Sequence, residues 1–181
     1  MFIKAGELCL RRPEPKDVEA LYRYRNDPDI MAALCGFTKG YSHADMLDWV
    51  ERQRKNRDDL VWVIADADDR CIGHCGLYKL NWAAGSAEVA ICLGSAAFRK
   101  GQSRSIMKAL GDYAFHQLHI RRISSEVLAT DKLAMNFNKR CGMSEEGILR
   151  EAEFRNGQYV DVHVFGLLSR EWNSGAVKDS G

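Results

Sequence analysis

The sequence predicts a mixed α/β fold, a mostly antiparallel central sheet with helices on both faces. Two observations carry this. Strand-like apolar runs alternate with helical stripes along the chain, and the last third holds two long alternating segments around Arg155-Asn156-Gly157. Asn-Gly supplies the left-handed residues of a tight hairpin turn. Length agrees with one domain over 1–172: 181 residues, 46% of them hydrophobic, fill a single core. The tail at 173–181 carries no apolar pattern and is expected to be disordered.

The elements follow in order. Leu8-Cys9-Leu10-Arg11-Arg12 reads as a strand, and Pro13-Glu14-Pro15 punctuates it before a helix from about Lys16 to Arg25. Asp27-Pro28-Asp29 ends that helix, because a residue before proline is pushed out of helical geometry. Ser42 is a cap candidate for a second helix through Met46, Leu47, Trp49 and Val50. Strands at 60–66 and 71–80 flank the charged turn Asp66-Ala67-Asp68-Asp69. After the loop at 81–85, Glu88-Val89-Ala90-Ile91-Cys92-Leu93 alternates as a strand, and Ile106, Met107, Leu110, Tyr113 and Ala114 keep a helical stripe. Ile123, Ser125 and Val127 alternate next, and Ala134, Phe137 and Cys141 recur at helical spacing. Strands at about 147–154 and 158–168 close the chain.

Composition excludes several functions. A net charge of +1 without a long basic block gives no footprint for nucleic acid, and Arg52, Arg54, Lys55 and Arg57 among Glu51, Asp58 and Asp59 read as a solvated helix end. No apolar run approaches the length of a bilayer span, and the start has no signal-like apolar segment, so a cytoplasmic protein without a membrane partner is expected. Six cysteines in that setting are expected to be reduced. Cys71, His74 and Cys75 invite a metal reading. On a strand, however, the two sulfurs stand roughly 13 Å apart with His74 on the opposite face, so no metal is expected. Cys92 and Cys141 read as small core residues.

One segment carries chemistry. The Glu88 strand runs through a short loop into Phe98-Arg99-Lys100-Gly101-Gln102-Ser103-Arg104-Ser105 and then a helix. A helix start leaves its first N–H groups unpaired and partly positive, so this Gly- and Ser-containing, basic entry suits a pyrophosphate. Neither GxxxxGK[ST] nor GxGxxG is present, which argues against a P-loop or a dinucleotide fold.

The loop resembles the pyrophosphate loop of the GNAT superfamily of acyl-CoA-dependent N-acyltransferases, [QR]-x-x-G-x-[GA] about a dozen residues after a strand glutamate. Phe98 and Ser103 depart from the pattern; the first position is often aromatic in the branch of ribosomal-protein acetyltransferases. Glu126 to Met143 resembles a second GNAT segment, in which a strand is followed by N-x-x-A, a short helix and Y-x-K-x-G-F. Tyr24 to Ile30 and Ser42 to Asp45 with Trp49 resemble GNATs that acetylate nucleotide-linked amino sugars, and the closing hairpin resembles the wider branch.

The resemblance implies two adjacent parallel strands that splay into a V holding acetyl-CoA as cosubstrate. Ile91, Cys92 and Leu93 would pair with its pantetheine amides, and the amides of Phe98, Arg99, Lys100, Gly101, Gln102 and Ser103 would hold the pyrophosphate. Arg99, Lys100, Arg104 and Ser105 would add contacts. Glu88 would take the amine proton. Asn138 stands where many members place a Tyr that protonates the leaving thiolate, Ala134 where others place a Ser, and Asp131 where an Asn contacts the pantetheine arm. A thiol titrates near ~8.5, so CoA can leave as thiolate without an acid. Candidates for the acceptor, by placement, are Tyr22, Arg25, Asn26, Phe37, His43, Trp49, Tyr78 and Trp82; Asp161, beside His163, reads as structural or acceptor-lining. The expected activity is acetyl transfer to a small amine, with a nucleotide-linked amino sugar favoured over a protein N-terminus or a polyamine. A non-catalytic acyl-CoA-binding domain is the rival of another class. The aromatic-rich closing strands suit a homodimer.

Overall fold

The structure is a computed structural model that describes residues 2–35, 39–94 and 102–173. Its strands are β1 (Ile3–Ala5), β2 (Leu8–Arg11), β3 (Leu60–Ala65), β4 (Cys71–Asn81), β5 (Ser86–Leu93), β6 (Arg122–Leu128), β7 (Ser144–Arg155) and β8 (Gln158–Leu168). They form one sheet in the order β1-β2-β3-β4-β5-β6-β8-β7, antiparallel throughout except for the parallel pair β5–β6. The helices are α1 (Val18–Arg25), α2 (Pro28–Ala33), α3 (His43–Lys55), α4 (Ser103–Asp112) and α5 (Lys132–Arg140). The expected fold class is the observed one.

Two cores sandwich the sheet. On one face, Leu10, Trp62, Ile64, Leu77 and Ile123 pack against Ile106, Met107 and Leu110 of α4. On the other, Leu21 and Tyr24 of α1 and Met46 and Val50 of α3 pack on Cys92. Each fully buried aliphatic side chain contributes about 1.5–3 kcal/mol, so both helix layers are firmly held to the sheet.

Local chemistry explains the boundaries. Ser42 caps α3, accepting from the Asp45 amide while Asp45 accepts from the Ser42 amide. Asp27-Pro28 ends α1 as expected but also starts α2: the Asp27 carboxylate accepts from Asp29 N at 2.9 Å, and Pro28 takes the first helical position. The sequence hides α2 because no residue of it is buried, so it has no apolar stripe. It hides β1 because three residues are too few to show alternation. Asn156 and Gly157 both have positive φ, as the hairpin requires, but β7 begins at Ser144, earlier than expected.

The metal expectation needs one correction. A register shift between Ile64 and Ala65 turns Cys71 out of line, so it packs with the second core while Cys75 lies in the first; the two sulfurs face opposite sides of the sheet. Among the described residues, no group of His, Cys, Asp and Glu is arranged to hold a metal ion. No helix of the described residues is long and apolar enough to cross a membrane. Of the tail, only Asn173 is described; the expectation of disorder at 174–181 lies outside the described residues.

Candidate active site

The site begins where two strands part. β5 and β6 pair at Ser86↔Arg122, Ala87↔Ile123 and Glu88↔Ser124, and there the ladder stops. β5 continues on β4 as far as Leu93, and β6 continues on β8 as far as Leu128. One edge of each strand therefore runs on past Glu88 without its parallel neighbour, over Val89–Leu93 and Ser125–Leu128. Main-chain N–H and C=O groups along such edges need partners, and an extended ligand with amide groups supplies them. Ile91, Cys92 and Leu93 all lie on this stretch.

α4 starts with Gln102 as cap residue, which makes no side-chain cap hydrogen bond, so no cap side chain covers the first amides of the helix. Ser103 is buried, and Ser105 lies against the β1–β2 turn, where a Cβ on Gly6 would stand 3.3 Å from its Oγ. Gln102 Oε1 is buried without a donor among the described residues, a position that an N–H or O–H of a bound molecule would fill. The strand edges, the uncapped helix and this orphan acceptor fit acyl-CoA. Phe98, Arg99, Lys100 and Gly101 lie outside the described residues.

Glu88 occupies the last paired rung, partly buried, and its carboxylate meets Lys79 Nζ at 2.7 Å. Sequence reasoning missed Lys79. It sits at φ +50 in an irregularity of β4 between Tyr78 and Asn81, with its N–H bound to Asp59 Oδ1. A regular strand would alternate Lys79 to the face opposite Tyr78; the bulge re-aims it onto Glu88. The carboxylate in turn raises the lysine pKa, so the lysine stays charged. One rung further, Ala90 is exposed although it belongs to a central strand, so the sheet surface beside Glu88 lies open.

On the opposite face, Asn138 is buried and donates from Nδ2 to Ser125 Oγ at 3.2 Å. Ser125 is the first β6 residue past the split. Accepting from Asn138 leaves its own O–H free to donate elsewhere. Asp131 caps α5, its Oδ1 accepting from Ala134 N at 2.9 Å, so that oxygen serves the helix.

The acceptor candidates divide. Arg25, Trp49 and Tyr78 gather over the face that carries Glu88. The Arg25 guanidinium lies 4.7 Å from the Tyr41 ring centroid and 5.3 Å from that of Trp49. It acts electrostatically on Tyr24, His74, Tyr78 and Cys92. His74 Nδ1 is 2.7 Å from the Tyr24 hydroxyl, and burial first, Arg25 second, lower its pKa and keep the ring neutral. Burial pushes the Cys92 thiol up to about 11, as suits a core residue.

Other candidates fall elsewhere. Asn26 is a clip: its Nδ2 donates to the carbonyls of Tyr22 and Tyr41, and its Oδ1 accepts from Tyr41 N. Both amide hydrogens are spent on this clip, so Asn26 has no N–H left to donate to a ligand. Tyr22 stacks on His43 at 3.8 Å, and His43 binds Glu19 on the helix surface. Trp82 is exposed on the turn before β5, at the end where β5 and β6 pair rather than part. Asp161 accepts from Glu151 N at a left-handed kink of β7, a structural task, and His163 pairs with Glu145. Phe37 lies outside the described residues.

Comparison with known proteins agrees with this geometry. An acetyltransferase (GNAT) domain model matches residues 7–144. An uncharacterized N-acetyltransferase p20 from Bacillus licheniformis is 28% identical over 91% of this chain and 94% of its own length. Spermidine N(1)-acetyltransferase of Vibrio cholerae is 30% identical over 92% of this chain and 96% of its own. A crystal structure of spermidine N-acetyltransferase from Vibrio cholerae, in complex with CoA and spermine, superposes with a TM-score of 0.85 at 26% identity, covering 92% of this chain and 98% of that one. With strands that part after Glu88, an uncapped helix start beside them and a domain match over most of its length, the chain belongs to the GNAT acetyltransferases and is an acetyl-CoA-dependent N-acetyltransferase.

Proposed function

We propose that the acceptor is the primary amine of a small molecule, received on the Glu88 face of the opening, and that Glu88 accepts its proton directly or through water. The position of Glu88 carries this reading: it is the last side chain before the strands part, partly buried, held by Lys79 and next to exposed Ala90. The Lys79 contact at 2.7 Å fixes the carboxylate at the edge of the opening. Acetyl-CoA supplies the activated acetyl group. In this reading backbone N–H groups near Ile91 polarise its carbonyl, the loop at 98–105 holds its pyrophosphate, and the Ser125 hydroxyl, which accepts from Asn138, hydrogen-bonds the departing sulfur. Replacing Glu88 by Gln should lower kcat about 10²- to 10⁴-fold while acetyl-CoA affinity changes little, as calorimetry would check. Near-normal turnover with an intact fold would leave Glu88 a structural residue.

A polyamine acceptor has its own support. The spermidine acetyltransferase similarity points that way, and Glu153, Glu126 and Glu88 all act on the Cys35 thiol, which burial first and these carboxylates next, against Arg155, raise to about 11. A nucleotide-linked amino sugar or a ribosomal-protein N-terminus rests on sequence resemblance alone. A homodimer is supported by exposed Ile148, Leu149, Phe154 and Tyr159 on the closing hairpin.

A further inference from the structure

Among the described residues, Arg25 is a charged side chain with two N–H-bearing nitrogens, Nε and Nη1, left without an acceptor. Its planar group lies against the Tyr41 and Trp49 rings, contacts that steady it without occupying Nε or Nη1. Nη2 reaches the Tyr41 hydroxyl only at 3.4 Å, and Nε and Nη1 are buried with no acceptor among the described residues. A guanidinium cannot shed its charge to escape this cost. Buried polar groups are almost always hydrogen-bonded, so unspent donors on an immobilised cation mark a place for an anion. The Asn26 clip holds the Tyr41 backbone against the end of α1, and Tyr24 and His74 hold a neutral wall on the sheet side. Arg25 lies close enough to Tyr78 to act on its hydroxyl, and Tyr78 is the direct cross-strand neighbour of Glu88.

We propose that Arg25 anchors an oxyanion, a carboxylate or a phosphate, carried by the same small molecule whose amine Glu88 receives. This rests on the small-amine reading above and narrows it: the acceptor has an anionic group beside its amine, and an unsubstituted polyamine is a poor fit. Charge of both signs suits such a molecule: Glu88, at the last paired rung, would receive the ammonium and Arg25 the anion.

Matched acceptors test it. Steady-state kinetics would compare an amino acid with its methyl ester, an amino-sugar phosphate with the free amino sugar, and spermidine. The anionic member of at least one pair should show kcat/KM about 10- to 100-fold higher, the range of a charge-assisted hydrogen bond, and the responding pair tells carboxylate from phosphate. Arg25→Gln should bring that ratio close to unity, and Arg25→Lys should restore only part of it; thermal unfolding and acetyl-CoA titration would confirm that both variants are folded. Equal rates within both pairs, a preference for spermidine, or a ratio unchanged in folded Arg25→Gln would overturn the proposal. Calorimetry with the matching N-acetylated compounds separates the two readings. Tighter binding of the anionic product analogue, lost in Arg25→Gln, supports the anchor even if no amine is acetylated, which would count against the small-amine reading instead.

Discussion

Arg11 and Arg25 bracket helix α1, one facing its start and one forming its last residue, and they are put to opposite uses. Arg11 is buried and fully spent: Nη1 and Nη2 fork onto the Asp17 carboxylate at 2.8 Å each, and Nε binds Asp69, which also takes Lys16. Arg25 is held instead against the rings of Tyr41 and Trp49, which leave its Nε and Nη1 without an acceptor among the described residues. Carboxylates complete a cation and make it part of the frame, whereas rings hold a cation still and leave its chemistry available. A structural arginine is told from a ligand-seeking one by what neutralises it, not by how buried it is.

The largest test of the contrast removes the carboxylate from Arg11. Asp17→Ala leaves a buried guanidinium half-paired and should cost about 3–5 kcal/mol in urea unfolding. The surviving folded fraction should keep its preference among acceptors, since nothing at the opening has changed. A loss below about 1 kcal/mol would mean that Asp69 alone suffices and that the fork is ornamental.

A smaller effect concerns pH. His74 is held neutral by burial and by Arg25, so its folded pKa lies below the ordinary imidazole value. The unfolded chain then binds the proton first on acidification, and stability falls as pH drops from about 6.5 toward the folded pKa, by at most about 1.4 kcal/mol per pH unit. His74→Gln should flatten the stability profile between about pH 6.5 and 4.5, and Arg25→Gln should reduce its slope only partly. An unchanged slope in His74→Gln would show that carboxylates, such as Asp69 with its lowered pKa, govern the whole acid limb.

The smallest expected effect sharpens the comparison most. Arg25→Gln should change stability by about 1 kcal/mol or less, because the lost stacking is offset by relief of buried, unsatisfied N–H groups. Thermal unfolding of the two variants side by side would measure this; a loss as large as that of Asp17→Ala would make Arg25 another frame residue.

Much of the frame was legible because it depends on local pattern. The strand at 158–168 runs as read, the Asn156-Gly157 turn has the left-handed pair it requires, and Ser42 caps its helix. Glu88 and the strand pair that parts beside it were reached through resemblance to a family whose motifs keep fixed spacing. Lys79 was illegible because its role needs a bulge that no composition signal marks, and Ser125 looked like one more alternating strand residue. Arg25 and Asn26 were both candidates by placement, and one sequence step separated a spent side chain from an unspent one.

From residue pattern alone came the order of all strands and helices but β1 and α2, the faces they bury and the class of ligand expected at a basic loop entering a helix, because these follow from periodicities of two and 3.6 residues and from unpaired backbone groups. Which charges are satisfied depends on packing. Asp69 reaches Arg11 from the β3–β4 turn, Lys79 reaches Glu88 from the neighbouring strand, and Tyr41 and Trp49 close on Arg25 from beyond α2. Partners so far apart in the chain meet only when the sheet and its helix layers have packed, and electrostatic roles are set by that meeting.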